Sequence, residues 1–313
     1  MTKSDRNPML SLVRHQEIDR VKWDICLEKA PNGRVYAASW YLDITCGKWD
    51  ALIWGDYEYV MPLPVRKKFG FSYVYTPYFT QRLGIFPVAP PEIQHFFAAV
   101  LKKVFSNIRY AADLSMSKHA FSRFQYRERP NRFLALDAEY GEVYRRFSEN
   151  TTRNIHKAVK AGVKVKAGCS ADRFTELCVQ YNPFKLNARA QKVFRALLHH
   201  TIADGSGKVY LAESSGGDLL AGVFFLTYND RSYYLGAFSS PEGLKQSAAF
   251  AIVDAFCRLH TGSGFILDFE GSELEGVDRF YRGFGAVREY YCVVEYNRLP
   301  SILLRMKELL TRR

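Results

Sequence analysis

The 313-residue sequence lacks the signature motifs of several large enzyme classes. No G-x-G-x-x-G follows an apolar strand and no G-x-x-x-x-G-K-[ST] occurs, so nothing supports a dinucleotide site or a P-loop. H-E-x-x-H is missing as well, which removes the common zinc protease motif. Since G-x-S-x-G is also absent, a Ser-His-Asp hydrolase would lack its nucleophile elbow.

Cysteine and long apolar runs are scarce. The six cysteines stand far apart, with no C-x-x-C pair and no histidine at ligand spacing, so we expect reduced, buried thiols and no metal site. The first twenty residues are polar and lack the apolar core of a signal peptide. The most apolar helical stretch, AAFAIVDAF, is too short to span a bilayer and contains Asp254. We therefore expect a soluble, cytoplasmic protein with no transmembrane segment.

Positive charge and aromatic residues are plentiful instead. The formal net charge is +12, and aromatic residues make up 15% of the chain. Residues 1–150 hold 22 Lys and Arg against 16 Asp and Glu, and residues 151–313 hold the same numbers, so each half carries +6. The charge therefore lies on folded surfaces, where it either favours anionic partners such as phosphates or RNA, or only aids solubility. The aromatic residues fit lined clefts or ordinary packing.

The length suits two domains, which we expect at residues 1–148 and 149–313. In the first half, β-branched and aromatic runs broken by turn residues predict strands, among them RVYAASWYL, DALIWGD and YEYVMPLPV, before the amphipathic helix PEIQHFFAAVLKKVF. The second half predicts a helix over NTTRNIHKAVKAG, capped by Asn150 or Thr151, then three strands over KVYLAES, GDLLAGVFFLTYND and RSYYLGAFS. A long helix, the strand FILDFEGS, the helix GVDRFYRGFGA and a final strand follow. This order predicts an α/β (α+β) fold with mixed sheets flanked by helices, and a last helix over 299–313 that could pack back on the first domain.

Five carboxylates crowd the segment DFEGSELEGVD, which begins at Asp268. Strand alternation would place Asp268 and Glu270 on one face, roughly 7 Å apart, where one carboxylate can raise the pKa of the other. A carboxylate tuned in this way could take a proton from an attacking amine. The alternative is that these acids pair with Arg279, Arg282 and Arg288.

Tyr281 follows in FYRGFGA. Its phenol is a neutral donor at pH 7 and could protonate a departing thiolate or alkoxide. Alternatively, the ring packs between helix and sheet.

A basic helix opens the second half. Arg153, Lys157 and Lys160 share one helical face, with Ile155, Ala158 and Val159 expected on the apolar side. Beside a cleft, three cations would hold a phosphate-rich donor. On an open surface they would be a solvated helix face.

Together these segments resemble the FemABX-like branch of the GNAT superfamily, which includes peptidoglycan-bridge aminoacyltransferases. The resemblance lies in NTTRNIHKAVKAGVKV, GDLLAGVFFLTYNDRSYYLGAFS and ILDFEGSELEGVDRFYRGFGA, with a weaker match in MPLPVRKKFGFSYVYTPYFTQRLGIF. It implies tandem GNAT-like domains around a cleft, and transfer of an acyl or aminoacyl group to an amine. It also implies acyl-CoA or aminoacyl-tRNA as co-substrate, no tightly bound cofactor, and a cell-wall precursor among the candidate acceptors.

The resemblance assigns further residues. It places Tyr281 at the leaving group and Arg282 beside it, where family members have Phe-Lys-x-Gly-Phe and this chain has FYRGF. It matches Arg189 to a family arginine that touches phosphate.

Three functions follow from these residues. The first is a GNAT-type N-acyltransferase. The second is a FemABX-type aminoacyl-tRNA-dependent transferase acting on peptidoglycan precursors, although the lysine expected shortly after Trp40 is missing. The third is a non-catalytic RNA- or glycan-binding protein on the same fold. The CoA motif Q/R-x-x-G-x-G/A is replaced by GLKQSAAFAIVD, so the donor stays open.

Overall fold

A computed structural model describes residues 10–68, 70–181 and 186–298. The strands, β1 to β12 in chain order, are Leu10–Val13, Trp49–Trp54, Tyr59–Lys68, Phe71–Val74, Asn107–Asp113, Gln125–Leu136, Lys164–Ala167, Gly207–Glu213, Leu219–Tyr228, Arg231–Ser239, Phe265–Asp268 and Val287–Asn297. The α-helices, α1 to α10, are Arg20–Lys29, Ser39–Cys46, Pro91–Val104, Tyr140–Arg145, Glu149–Lys160, Ala171–Tyr181, Ala188–Asp204, Pro241–Lys245, Ala248–His260 and Glu275–Gly283. The predicted fold class, mixed sheets with flanking helices, is confirmed.

One predicted strand is wrong. Residues 34–42 form a 3₁₀ turn over Val35–Ala37 and the start of helix α2. Tyr36, Tyr41 and Leu42 are fully enclosed, and the indole of Trp23 donates to the Ala37 carbonyl at 2.8 Å. A short apolar run reads equally well as a strand or as a buried helix, and here tertiary packing selects the helix.

The chain divides into two compact units. Unit 1 runs to Arg129 and resumes at Tyr290, and unit 2 is Pro130–Glu289. The sequence predicted a single boundary after residue 148, and that division stays a prediction. The helix expected over 299–313 lies outside the described residues.

In unit 1 the strand order is β1-β2-β3-β4-β5-β12. The pairs are antiparallel except for β4 with β5, where Tyr73 lies opposite Asn107. Helix α3 begins at Pro91, directly after its N-cap Pro90, and proline costs no hydrogen bond at this first position. Its apolar side buries Phe97 and Leu101.

In unit 2 the order is β6-β11-β10-β9-β8-β7. Again one described pair is parallel, β10 with β11, among antiparallel neighbours. This parallel pair matters for the site, because the two strands run together over only a short stretch.

An apolar core packs on one side of the unit 2 sheet, against helices α5, α9 and α10. Its members are buried aliphatic and aromatic side chains, including Leu134, Ile155, Phe225, Ile252, Phe256, Leu267, Phe269, Tyr281 and Phe284. The rings of Phe225 and Phe256 stack at 4.1 Å between centroids. Each fully buried side chain of this kind stabilises the fold by about 1.5–3 kcal/mol relative to exposure.

Helix α5 was predicted correctly, but its N-cap and its apolar side differ from the prediction. Its N-cap is Ser148, whose hydroxyl oxygen accepts the Thr151 N–H at 3.2 Å, rather than Asn150 or Thr151. Val159 is 68% exposed and so does not belong to the apolar side, which is formed by Ile155 and Ala158.

No helix within the described ranges has both the length and the apolar character that crossing a membrane requires.

Candidate active site in the second unit

Strands β10 and β11 lie side by side only briefly and then separate. Their parallel pairing covers Arg231–Tyr233 on β10 and Ile266–Asp268 on β11, although β10 continues to Ser239. Beyond β11, the Phe269 N–H donates to the Arg132 carbonyl at 2.9 Å, so the chain continues along β6 instead. The recorded pairing of β10 with β11 therefore stops at Tyr233, and we call the region between the two strands beyond that point the wedge.

A bulge marks the same point of β10. Tyr234 lies opposite Phe225 and Gly236 opposite Phe224, so one extra residue is inserted on β10. Such bulges bend a strand and increase its twist. Gly236 is required here, because a Cβ would lie 2.5 Å from the ring of Phe194.

Across the wedge, the backbone turns sharply at Glu270 and Gly271. Both have positive φ, 58° and 65°. Only glycine fits at the second position, since a Cβ would lie 2.4 Å from the Pro130 carbonyl oxygen. Glu270 is a non-glycine residue in a conformation that costs free energy, and such residues cluster at functional sites. Strand alternation was expected to place Asp268 and Glu270 on one face. The turn ends that alternation at Glu270, so the basis for this expectation is lost.

Asp268 is completely buried and holds this turn in place. One carboxylate oxygen accepts a hydrogen bond from Arg231 at 2.6 Å. The other accepts the backbone N–H of Glu270 at 2.9 Å. Glu289 lies 3.9 Å from Arg231, and Asn131 donates to Glu289 at 2.6 Å. Asp268 thus belongs to a buried polar network, and its suggested role as a proton acceptor stays a prediction.

Tyr281 lies on α10 against the wedge. Its ring stacks on Phe269 at 4.6 Å between centroids and meets Tyr234 edge-on at 5.8 Å. The residue is 8% exposed, and burial raises the pKa of its hydroxyl well above the ordinary value of 10.0. Tyr234 and the Glu270 carboxylate raise that pKa further. Two of the predicted residues, Glu270 and Tyr281, are therefore within electrostatic reach of each other.

The remaining acids of the segment are mostly engaged in ion pairs. Glu275 accepts a hydrogen bond from Arg279 at 2.7 Å. Asp278 accepts two hydrogen bonds from Arg132, at 2.6 and 2.9 Å, and these lower the pKa of its carboxyl group. Sequence reasoning missed Arg132, which lies 146 residues away on β6. Because Arg132 also donates to the Ala286 carbonyl at 3.2 Å, it fixes both ends of the segment that carries Tyr281.

The predicted cations are all exposed: Arg153, Lys157 and Lys160 on α5, Arg189 at the start of α7, and Arg282 on α10. Helix α5 is tied to the start of α9, because the Ser247 hydroxyl donates to the Asn154 side chain at 2.7 Å. Ser247 has a φ of 58° and its side chain does not cap α9. The α5 cations thus lie on a helix joined to a helix N-terminus, a combination that favours anions. Their donor-binding role stays a prediction.

No group of three or more potential metal ligands was found in the described part of the chain.

Part of the chain matches a known domain family. Residues 145–269 match the model of the acetyltransferase (GNAT) domain family. The predicted GNAT resemblance is confirmed for this segment. The GNAT segment contains α5, the wedge strands and Asp268, and it ends just before Glu270. Among curated protein sequences, none matches the chain.

Solved structures resemble the chain over almost its whole length. FemX is 14% identical with a TM-score of 0.66, over 92% of this chain and 98% of that one. L-PGS from Bacillus licheniformis is 12% identical with a TM-score of 0.55, over 94% and 96%. A tandem GNAT protein from the clavulanic acid biosynthesis pathway is 11% identical with a TM-score of 0.52, over 92% and 98%. These likenesses concern the fold, and the expected tandem GNAT-like fold is confirmed.

Proposed function

We propose that the protein is an N-acyltransferase whose unit 2 holds an acyl donor in the wedge and transfers the acyl or aminoacyl group to an amine. The observation that carries this proposal is the separation of β10 from β11 beside Glu270 and Tyr281, largely within the GNAT segment. Backbone N–H and C=O groups along the edge of β10 can pair with an extended, amide-containing donor as a neighbouring strand would.

The donor's phosphates would lie near the start of α9. The exposed cations Arg153 and Lys157, and the helix N-terminus behind Ser247, supply positive charge there. Acyl-CoA and aminoacyl-tRNA both carry phosphates beside a reactive thioester or ester. Both donors therefore suit this positive charge. They differ in size, because a tRNA is far larger than coenzyme A.

The reaction needs a proton acceptor and a donor to the leaving group. The acceptor nitrogen attacks the acyl carbonyl carbon, a C–N bond forms, and the C–S or C–O bond of the donor breaks. In our proposal Glu270 takes the proton that the amine loses. Tyr281 stays protonated because its pKa is raised, and its O–H donates a hydrogen bond to the leaving thiolate or alkoxide.

Asp268 then acts as a positioning residue. It accepts the Glu270 N–H and is held by Arg231, so it fixes the strained turn that presents Glu270. This division of roles fits the burial of the two acids, since Asp268 is enclosed and Glu270 is partly exposed.

The test uses the full chain with acetyl-CoA or charged tRNA, and amines that include a lysine-containing cell-wall peptide. Release of free thiol or of deacylated tRNA reports transfer. Tyr281→Phe keeps the ring stack but loses the hydroxyl, and Glu270→Gln keeps the shape but cannot take a proton. Each should lower the rate by roughly 10²–10⁴-fold with donor affinity little changed.

Two matched variants serve as controls. Tyr210→Phe removes another buried hydroxyl from the same core, and Glu275→Gln neutralises an exposed acid on α10. Both should retain near-normal rates. Equal losses in test and control variants would refute the assigned roles. Turnover with charged tRNA alone would select the FemABX-type reaction. Donor binding without turnover on any amine would favour the non-catalytic alternative.

A further inference from the structure

Unit 1 contains a second candidate site, on the sheet formed by β5 and β12. Arg109 lies opposite Glu295 and Ala111 opposite Val293 in this antiparallel pair, so these side chains share one face. The opposite face is core, where Tyr110 and Cys292 are completely buried. The face with Arg109 is partly open instead.

A hollow of about 370 Å³ lies on this open face. Its lining includes the hydrogen-bonding side chains of Thr76, Thr80, Gln81, Arg109 and Arg129. None of its described lining residues is acidic. The volume lies in the range of small-molecule sites, and two arginines give it the donors that an oxyanion needs.

A further arginine, Arg66, packs against the lining of the hollow. The Arg66 guanidinium stacks over the lining residue Tyr75, 3.9 Å from the ring centroid. Its buried Nε and one terminal nitrogen find no acceptor among the described residues. The nearby acids are already engaged, Glu295 with Arg109 at 3.1 Å and Asp113 with Arg82 at 3.4 Å.

One hydroxyl is set up as a donor. The Oγ1 atom of Thr76 accepts the Ala111 N–H at 3.1 Å, which occupies it as an acceptor. Its own hydrogen is then directed away from that N–H and can be donated to a ligand.

We propose that this hollow binds a small molecule through an oxyanion, a phosphate or a carboxylate, held by Arg129, Arg109 and Thr76. The proposal is independent of the proposed function, because it uses no residue of unit 2.

The experiment measures binding of two probes, inorganic phosphate and glutarate, to the full chain by calorimetry, with sodium chloride at matched ionic strength as the reference. Arg129→Gln is the test variant, since Arg129 lines this hollow. Arg123→Gln is the matched control, because Arg123 lines a neighbouring hollow of about 420 Å³ and not this one. Loss of one charge-assisted hydrogen bond should weaken binding by roughly tenfold to a hundredfold in the test variant, and not in the control. The affinity of Arg129→Lys should lie between those of the test and control variants, because lysine keeps the charge but cannot donate two hydrogen bonds in the bidentate geometry of arginine.

The two probes distinguish the ligand class. Tighter binding of phosphate assigns a phosphate-bearing ligand, and tighter binding of glutarate assigns a carboxylate. Equal weakening in the test and control variants would show only diffuse surface charge and would overturn the proposal. So would the absence of binding by either probe at about 10 mM beyond the chloride reference.

Discussion

The buried ion pair between Arg231 and Asp268 offers the sharpest test of the site's construction. Asp268→Asn keeps an oxygen that can accept the Glu270 N–H, so the substitution isolates the effect of charge. It leaves the Arg231 guanidinium, whose side chain is 11% exposed, without its partner at 2.6 Å. Removing one partner of a buried pair costs about 3–5 kcal/mol. Because Glu289 stays 3.9 Å from Arg231, we expect the low end of that range.

The double variant Arg231→Met with Asp268→Leu should destabilise the fold less than Asp268→Asn does. Replacing both charges with apolar side chains is nearly neutral, but the Glu270 N–H then loses its acceptor at a cost of about 1–3 kcal/mol. The exposed pair formed by Glu275 and Arg279 is a control of similar length, 2.7 Å. Glu275→Gln should change stability by at most about 1 kcal/mol.

Urea unfolding followed by far-UV circular dichroism measures these differences. All four tryptophans lie in unit 1, so their fluorescence provides a separate signal for that unit. A loss in Asp268→Asn no larger than in Glu275→Gln would refute the reasoning, because the Arg231 charge would then not depend on Asp268. A double variant clearly less stable than the single one would refute it as well.

Two further predictions concern charge. The hydrogen bonds from Arg132 lower the pKa of Asp278 from its ordinary value of 3.8, so its contribution to stability is complete above that pH and is lost as the pH falls through the lower folded value. Asp278→Asn should therefore be less stable at neutral pH and show a flatter fall of Tm below about pH 4, and an unchanged acid limb would contradict this. Replacing all three α5 cations with alanine should weaken donor binding and reduce its salt dependence, by about 0.7 in log–log slope for each lost contact to a single-stranded phosphate. An unchanged slope would mean that these three cations, Arg153, Lys157 and Lys160, only form a solvated helix face.

The sequence by itself determined most local elements and pointed to a GNAT-like fold. Turn residues, β-branched runs and helical periodicity predicted most strands and helices of unit 2, because such signals act over a few residues. The segment after Asp268 also indicated an acid-rich site with Tyr281 close by. The run at residues 34–42 was misassigned because its apolar residues fit two periodicities, and only burial between other elements selects one.

Only the tertiary structure decided which charges meet. Arg231 and Asp268 are 37 residues apart, and Arg132 and Asp278 are 146 apart. Sheet register brings these pairs together, and no local pattern records that register. The end of the β10–β11 pairing has the same origin, since it depends on how these two strands are aligned in the sheet. Contacts of this kind form across elements distant in sequence, so their partners become known only when the sheet is assembled.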